Sequence, residues 1–236
     1  MNHYFRFKQF TVYQDRCAMK VCTDACLFGA WVRDHIRHTP VTHALDIGCG
    51  TGLLSLMLAQ QTDILIDAVE IDKDAYEQAR ENMKDSPWNN RLRVHHADIR
   101  SVTLDTKFDL IISNPPFFEN NLKSPDAKRN LALHSDQLAL HELISIAGSL
   151  LGTGGTLALL LPFHRGQACM ETARQHGLFP NRVAMVRQTE QHDFFRIMLC
   201  FSSVETDPAS EVITIQQSGA YSAEFVSLLK PYYLYL

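Results

Sequence analysis

The chain has 236 residues, 46% of them hydrophobic and 20% charged, with a formal net charge of −4. This length suffices to bury a substantial core, and the balance is that of an ordinary globular protein. The mild negative charge excludes a general nucleic-acid binder coated in lysine, although a local basic face remains open. No apolar run approaches the roughly 20 residues that a membrane helix needs. The opening MNHYFRFKQF lacks the apolar centre of a secretory signal, so no membrane association and a cytoplasmic location are expected.

Residues 3–14, HYFRFKQFTVYQ, alternate aromatic and β-branched residues as strands do, with a turn near Lys8. From Thr23 to about Arg37, Leu27, Ala30, Trp31 and Ile36 recur at near-helical spacing, with Thr23 or Asp24 as N-cap. After Pro40 the texture changes to strand THALDIG, helix LLSLMLAQQ, strand ILIDAVEI, helix DAYEQARENMK and strands RLRVHHA and KFDLIIS. A helix from about Gln137 to Leu151, strand TLALLLP and helix RGQACMETARQHG follow. Strands FPNRVAMVRQ and FFRIMLCFS and a helix near residues 222–229 close the chain.

Apolar strands alternating with amphipathic helices predict a doubly wound, Rossmann-like α/β fold, its parallel sheet covered on both faces. The last two strands, with no helix between them, predict an antiparallel pair at one edge. No repeat, low-complexity tract or long linker divides the chain. A single domain over residues 1–236 is therefore expected, with residues 1–40 as a short β/helix extension.

Cys17, Cys22, Cys26, Cys49, Cys169 and Cys200 form no paired framework and show no second cluster of metal-ligand spacing. They read as small buried side chains in a reducing compartment. His95 and His96, adjacent on a strand, point to opposite faces. No metal is expected.

The first strand of the alternating region runs into Leu45-Asp46-Ile47-Gly48-Cys49-Gly50-Thr51-Gly52. Ligands of such sheets sit beyond the carboxyl ends of the strands. Glycines there permit a turn of positive φ and a close approach to bare backbone. Taken alone, the glycines are equally those of a tight strand-to-helix connection. Dinucleotide folds prefer GxGxxG with pyrophosphate on the helix N-terminus. Here Leu53 occupies the third glycine's place, and Asp46 precedes a GxGxG run. An acid before the turn suits a ligand bearing an ammonium and a sulfonium and opposes one bearing phosphates. Glu70, about 20 residues on, ends the next strand, where a carboxylate accepts hydrogen bonds from ribose hydroxyls. Asp98 ends the third strand in His96-Ala97-Asp98-Ile99, suitably placed to read an adenine amine.

Loop, acid and acid in this order resemble the class I S-adenosylmethionine methyltransferases over roughly residues 43–200. The resemblance implies a seven-stranded sheet with a reversed last pair and S-adenosylmethionine as cofactor. It places Asp46, Gly48, Cys49, Gly50 and Gly52 around the methionine part, Glu70 with Ile71 at the ribose, and Asp98 with Ile99 at the adenine.

The fourth strand leads into Asn114-Pro115-Pro116-Phe117. Two prolines remove donors and hold the turn extended, leaving carbonyl oxygens free. The exocyclic amine of adenine is a poor nucleophile because its lone pair is delocalised into the ring. The Asn114 side-chain oxygen and the Pro115 carbonyl would accept both N–H groups and draw the nitrogen towards tetrahedral geometry. Phe117 would stack on the base, a contact worth roughly 1–3 kcal/mol. Positioning would supply most of the rate. Asn114 is also expected to border the cofactor.

Similar tetrapeptides serve adenine-N6, guanine-N2 and protein-glutamine methylation. The latter two families commonly carry a larger amino-terminal region than the residues before Leu45. A non-catalytic cofactor- and RNA-binding module is opposed by the amine acceptors. A nicotinamide oxidoreductase is opposed by Leu53.

Phe7-Lys8-Gln9-Phe10, Cys17-Ala18-Met19-Lys20-Val21, Thr23-Asp24 and Leu27-Phe28-Gly29-Ala30-Trp31 resemble the N-terminal segment of the bacterial tRNA(Val) adenine-N6 methyltransferases. So do Asp67-Ala68-Val69-Glu70, Glu81-Asn82, Ser86-Pro87-Trp88, the run Phe108 to Pro116 and Tyr232-Tyr233-Leu234. This resemblance covers nearly the whole chain and implies methylation of the adenine at position 37, beside the anticodon. By the same analogy Lys20, Thr23 and Asp24 help close the cofactor pocket. Phe117 departs from the tyrosine common in that family, so any role of its hydroxyl is lost while stacking survives. Arg6, Lys8 and Arg16, interleaved with Tyr4, Phe5, Phe7, Phe10 and Tyr13, are expected to meet tRNA. Lys123, Lys128 and Arg129 after the tetrapeptide are expected to join them. A base inside a stack cannot reach such a pocket, so it should be flipped out. A monomer or weak dimer is expected.

Overall fold

The structure, a computed structural model, describes residues 2–115 and 138–236. A hairpin of β1 (Tyr4–Arg6) and β2 (Thr11–Tyr13) leads into α1 (Thr23–His35), which ends in a 3-10 turn at Ile36–His38. Then come β3 (His43–Ile47), α2 (Leu53–Gln61), β4 (Leu65–Glu70), α3 (Lys73–Lys84), β5 (Leu92–His96) and β6 (Phe108–Ser113). The second described stretch holds α4 (Leu140–Leu150), β7 (Leu151–Pro162), α5 (Gly166–Gln175), β8 (Phe179–Arg187) and β9 (Phe194–Ser202). It closes with β10 (Ala209–Thr214), the two-residue strands β11 (Gln216–Gln217) and β12 (Ala220–Tyr221), and α6 (Ala223–Leu229).

Among the described residues the central sheet has eight strands in the order β10-β8-β9-β7-β6-β3-β4-β5, one more than expected. β8 and β9 pair antiparallel as foreseen, but they are not the edge, because β10 adds parallel to β8. The cause is a charged network. Glu211 of β10 accepts from the Arg182 guanidinium of β8 at 2.8 Å and from the Trp31 indole of α1 at 2.7 Å. Arg182 also reaches Asp34 at 3.3 Å and lies 4.7 Å above the buried Trp31 ring. A strand that brings this acceptor to two committed donors is retained even though only Ile213 and Thr214 of it are buried.

Each face of the sheet has its own core. α1, α2, α3, α6 and the hairpin cover one face, with Trp31, Met57, Met83 and Phe225 inside it. α4 and α5 cover the other through Leu143, Ile144, Cys169 and Ala173. α2 is buried continuously from Leu53 to Ala59, and so lacks a polar stripe. Gly29 lets α1 approach it closely, since a Cβ there would sit 3.0 Å from the Met57 sulfur. α1 includes Thr23 and Asp24, the two residues expected as its N-cap. Its N-cap is Cys22, without a side-chain bond, because the Asp24 carboxylate turns instead to Ala25 N–H and Arg196.

Strand order reverses at β3. From there β4 and β5 lie on one side and β6 and β7 on the other, all parallel, which opens a crevice beyond the carboxyl ends of β3 and β6. Among the described residues no helix is long and apolar enough to cross a membrane.

Replacing Glu211 with Ala strands two donors at once. It should cost about 1–3 kcal/mol of stability and lower the melting temperature by roughly 2–10 °C in calorimetry. An unchanged melting temperature would show that β10 is held by backbone pairing alone.

Candidate active site

β3 ends at Ile47, and Gly48, Gly50 and Gly52 all have positive φ, at 70°, 54° and 79°. The turn therefore demands glycine at alternate positions. Gly48 and Cys49 donate to the Val69 carbonyl at 2.9 and 3.2 Å, which ties the loop to β4. A Cβ built on Gly48 or Gly50 meets no heavy atom of the described residues within 4 Å, so the loop's outer face is open to a ligand.

Asp46 is fully buried beneath this loop. Its Oδ2 accepts from the N–H and hydroxyl of Ser55, in the first turn of α2, at 3.2 and 2.7 Å. Among the described residues its buried Oδ1 meets no donor. Burial pushes the carboxyl up to about 7, opposed by the two Ser55 bonds and reinforced by the negative charge of Glu70. An orphaned, buried carboxylate oxygen fits a ligand that brings a positively charged donor.

Glu70, at the end of β4, is also buried. Oε2 accepts from Gly50 N–H at 2.8 Å and Oε1 from Asp72 N–H at 2.9 Å. Its first task is thus to hold the glycine loop. Each oxygen keeps a lone pair for ribose hydroxyls. Ile71 beside it is exposed, while Ile99 is buried. Asp98 is engaged by Arg100, whose Nε lies 3.0 and 2.8 Å from its two oxygens and whose main-chain N–H donates to it at 2.9 Å. The Arg100 bond lowers the Asp98 carboxyl below its ordinary range. Among the described residues no group of three or more His, Cys, Asp and Glu could hold a metal ion.

Asn114 and Pro115 follow β6 directly, and both are half-buried. Ile112 pairs with Asp46, so Asn114 leaves β6 beside the point where the glycine loop leaves β3. Ser113, which the sequence reading passed over, locks this alignment. Its buried hydroxyl donates to the Ile47 carbonyl at 2.7 Å, tying the end of β6 to the end of β3. Pro116 and Phe117 lie outside the described residues, as do Lys123, Lys128 and Arg129.

The segment between the hairpin and α1 lies beside the same strand ends. Burial, and then the charges of Glu70 and Asp72, push the Cys17 thiol up to about 12, which leaves it unreactive at neutral pH. Asp24 is held at 2.7 Å by Arg196, near the start of β9. Lys20 makes a long contact of 3.5 Å to the Asn2 carbonyl, and Thr23 opens α1.

The family model described as methyltransferase small domain matches residues 31–176. The tRNA1(Val) (adenine(37)-N6)-methyltransferase of Parabacteroides distasonis is 41% identical over 99% of this chain and 98% of its own length. The protein of the same name from Christiangramia forsetii is 42% identical over 100% of this chain and 99% of its own. The chain belongs to this methyltransferase family. The fold agrees: the crystal structure of a predicted O-methyltransferase from Agrobacterium tumefaciens superposes with a TM-score of 0.67 at 16% identity, over 88% of this chain and 96% of that one.

One expectation for this family member is overturned. Phe5, Phe7 and Phe10 are not a platform for bases, because Phe7 and Phe10 are buried and stacked at 4.4 Å. Phe5 and Tyr233 pack on Phe7, and Trp88 packs edge-on against Phe10. Only Tyr4 and Tyr13 of that set are exposed, as a ring pair 6.0 Å apart on the hairpin. Alternation in a hairpin marks two faces, and here the phenylalanines take the inner one and the tyrosines the outer. Lys8 Nζ bonds the Lys230 carbonyl at 2.6 Å, and Arg16 pairs with Glu81 at 3.0 Å.

The raised Asp46 carboxyl makes cofactor binding depend on pH. A cation beside Asp46 favours its ionised form, and without the cation that form dominates only above about pH 7. Calorimetric affinity for S-adenosylmethionine should therefore rise by up to roughly tenfold per pH unit below that point and level off above it. Asp46→Asn should bind weakly and lose the slope. A flat profile in the native enzyme would remove Asp46 from cofactor binding.

Proposed function

We propose that this enzyme methylates the exocyclic N6 amine of adenine 37 in tRNA1(Val), the reaction named for its full-length relatives, with S-adenosylmethionine as methyl donor. The observation that supports the reading is that Asn114 and Pro115 directly follow β6, whose last residue, Ser113, is tied to the end of β3 where the glycine loop begins. A side-chain amide and a proline-flanked carbonyl at that strand end suit a group that presents two N–H donors.

In this reading Asp46, Gly48, Cys49, Gly50 and Gly52 hold the amino-acid end of the cofactor. Glu70 and Ile71 hold the ribose, Asp98 and Ile99 the adenine, and Lys20, Thr23 and Asp24 close the site. When bound, S-adenosylmethionine supplies an electrophilic methyl group to the amine nitrogen, the C–S electron pair remaining on sulfur. Asn114 and Pro115 accept the two N–H groups and favour the pyramidal nitrogen whose lone pair is free to react. The nitrogen is cationic once methylated, and its surplus proton passes to water. Glu70, through Gly50, keeps the loop from shifting while the base is held. Most of the rate enhancement then comes from fixed geometry.

Replacing Asn114 with Ala should lower kcat by at least about 100-fold while leaving S-adenosylmethionine affinity nearly native, as measured by single-turnover methylation and calorimetry. Equal loss of both would make Asn114 a cofactor ligand rather than an amine acceptor.

The anticodon loop, whose bases unstack readily, would meet Arg6, Lys8, Arg16 and the exposed Tyr4–Tyr13 pair. Lys123, Lys128 and Arg129 complete the proposed contact set. The double variant Lys8→Ala with Arg16→Ala should weaken tRNA binding and reduce its logarithmic salt slope by about 1–2. Unchanged affinity and slope would take this hairpin out of the RNA surface.

A further inference from the structure

α3 turns three polar side chains towards the segment that carries the hairpin. Asn82 is the central one. It is 2% exposed, yet every hydrogen-bonding direction it uses leads away from its own helix. Its Nδ2 donates to the Thr51 carbonyl at 2.9 Å and to the Tyr13 carbonyl at 2.8 Å. Its Oδ1 accepts from Tyr13 N–H at 2.9 Å. Thr51 lies inside the glycine loop, between Gly50, which Glu70 holds, and Gly52. Tyr13 is the last residue of β2 and one of the two exposed rings of the hairpin. One planar amide therefore grips the cofactor loop and the hairpin together.

Its neighbours on α3 extend the grip. The buried Gln78 accepts from Arg16 N–H at 3.4 Å, and Glu81 pairs with the Arg16 side chain at 3.0 Å. Only an amide offers two donors and an acceptor in this fork. An aspartate would turn an oxygen towards both carbonyls, and an apolar residue would leave three main-chain groups unpaired in the interior.

We propose that Asn82 is a positioning residue that holds the hairpin and the glycine loop in one frame, so that binding of cofactor and binding of tRNA reinforce each other. A cofactor seated on the glycine loop bears on Thr51, Thr51 on the amide, and the amide on Tyr13 and the strand that bears it. By reciprocity tRNA must strengthen cofactor binding by the same factor. This inference rests on the tRNA methyltransferase reading above.

The test compares native enzyme with Asn82→Ala in two arms. In the first, S-adenosylmethionine affinity is measured by calorimetry without RNA, and the variant should bind several-fold more weakly. In the second, tRNA affinity is measured with and without S-adenosylhomocysteine. The native enzyme should gain about fivefold or more from the nucleoside, and the variant less than about twofold. A residue that merely stabilises the fold would lower the melting temperature and leave cofactor affinity and the gain untouched, which would overturn the proposal. So would a native enzyme that shows no gain. Should the native enzyme bind no tRNA at all, the substrate reading fails, and the first arm still decides the clamp: unchanged cofactor affinity in the variant refutes it. If Asn82→Ala is not folded at assay temperature, Asn82→Ser carries the same comparisons, being small and able to remake one of the three bonds.

Discussion

The site depends on one constraint: the carboxyl ends of β3, β4 and β6 must finish at the same height. Register alone does not secure this, because strand ends fray. Three hydrogen bonds do. Ser113 ties β6 to the Ile47 carbonyl, Gly48 ties the loop to Val69 of β4, and Glu70 reaches back to Gly50. Each joins a residue at the last position of a strand, or just beyond it, to its neighbour. Together they convert three independent loop starts into one rigid rim, on which methyl donor and acceptor can be set side by side. Catalysis by positioning needs such a rim more than it needs an acid or a base.

A cost attaches to the arrangement. Asp46 is kept in the interior with one oxygen unpaired among the described residues, and burial raises its carboxyl to about 7. An isolated buried carboxylate is among the more expensive features a core can carry. Its retention under a glycine loop makes sense if a cationic ligand offsets the expense. The folded state without that ligand favours the protonated acid, so Asp46 adds stability at low pH, and that contribution falls as pH rises from about 4 through about 7. The site is therefore poised: the group that destabilises the empty fold near neutrality is the group that rewards binding.

Much of this was legible from residue order. Asp46, Glu70 and Asp98 stand at strand ends that hydrophobic runs delimit, and glycine at alternate positions after Asp46 can only be a turn that needs positive φ. What escaped reading was whatever depends on main-chain partners far along the chain. Asn82 bonds backbone atoms 31 and 69 residues away, and no spacing rule exposes that. β10 was missed because its hold on the sheet comes from Glu211 meeting Arg182 and Trp31 rather than from a run of apolar residues. The hairpin misled for a related reason. Phe5, Phe7 and Phe10 among basic residues have the composition of an RNA platform, yet they close the core against Tyr233 and Trp88, leaving Tyr4 and Tyr13 outside. Composition records which side chains are present, and only packing decides which face they take.

The central claim, that two oxygen acceptors stand beside the methyl donor, is tested most directly by a crystal structure of the enzyme with S-adenosylhomocysteine and an adenosine nucleotide. The account predicts the adenine amine between the Asn114 side-chain oxygen and the Pro115 carbonyl, with the cofactor sulfur on the far side of that nitrogen. A cofactor seated on the glycine loop while the Asn114 and Pro115 oxygens face away from sulfur would contradict it.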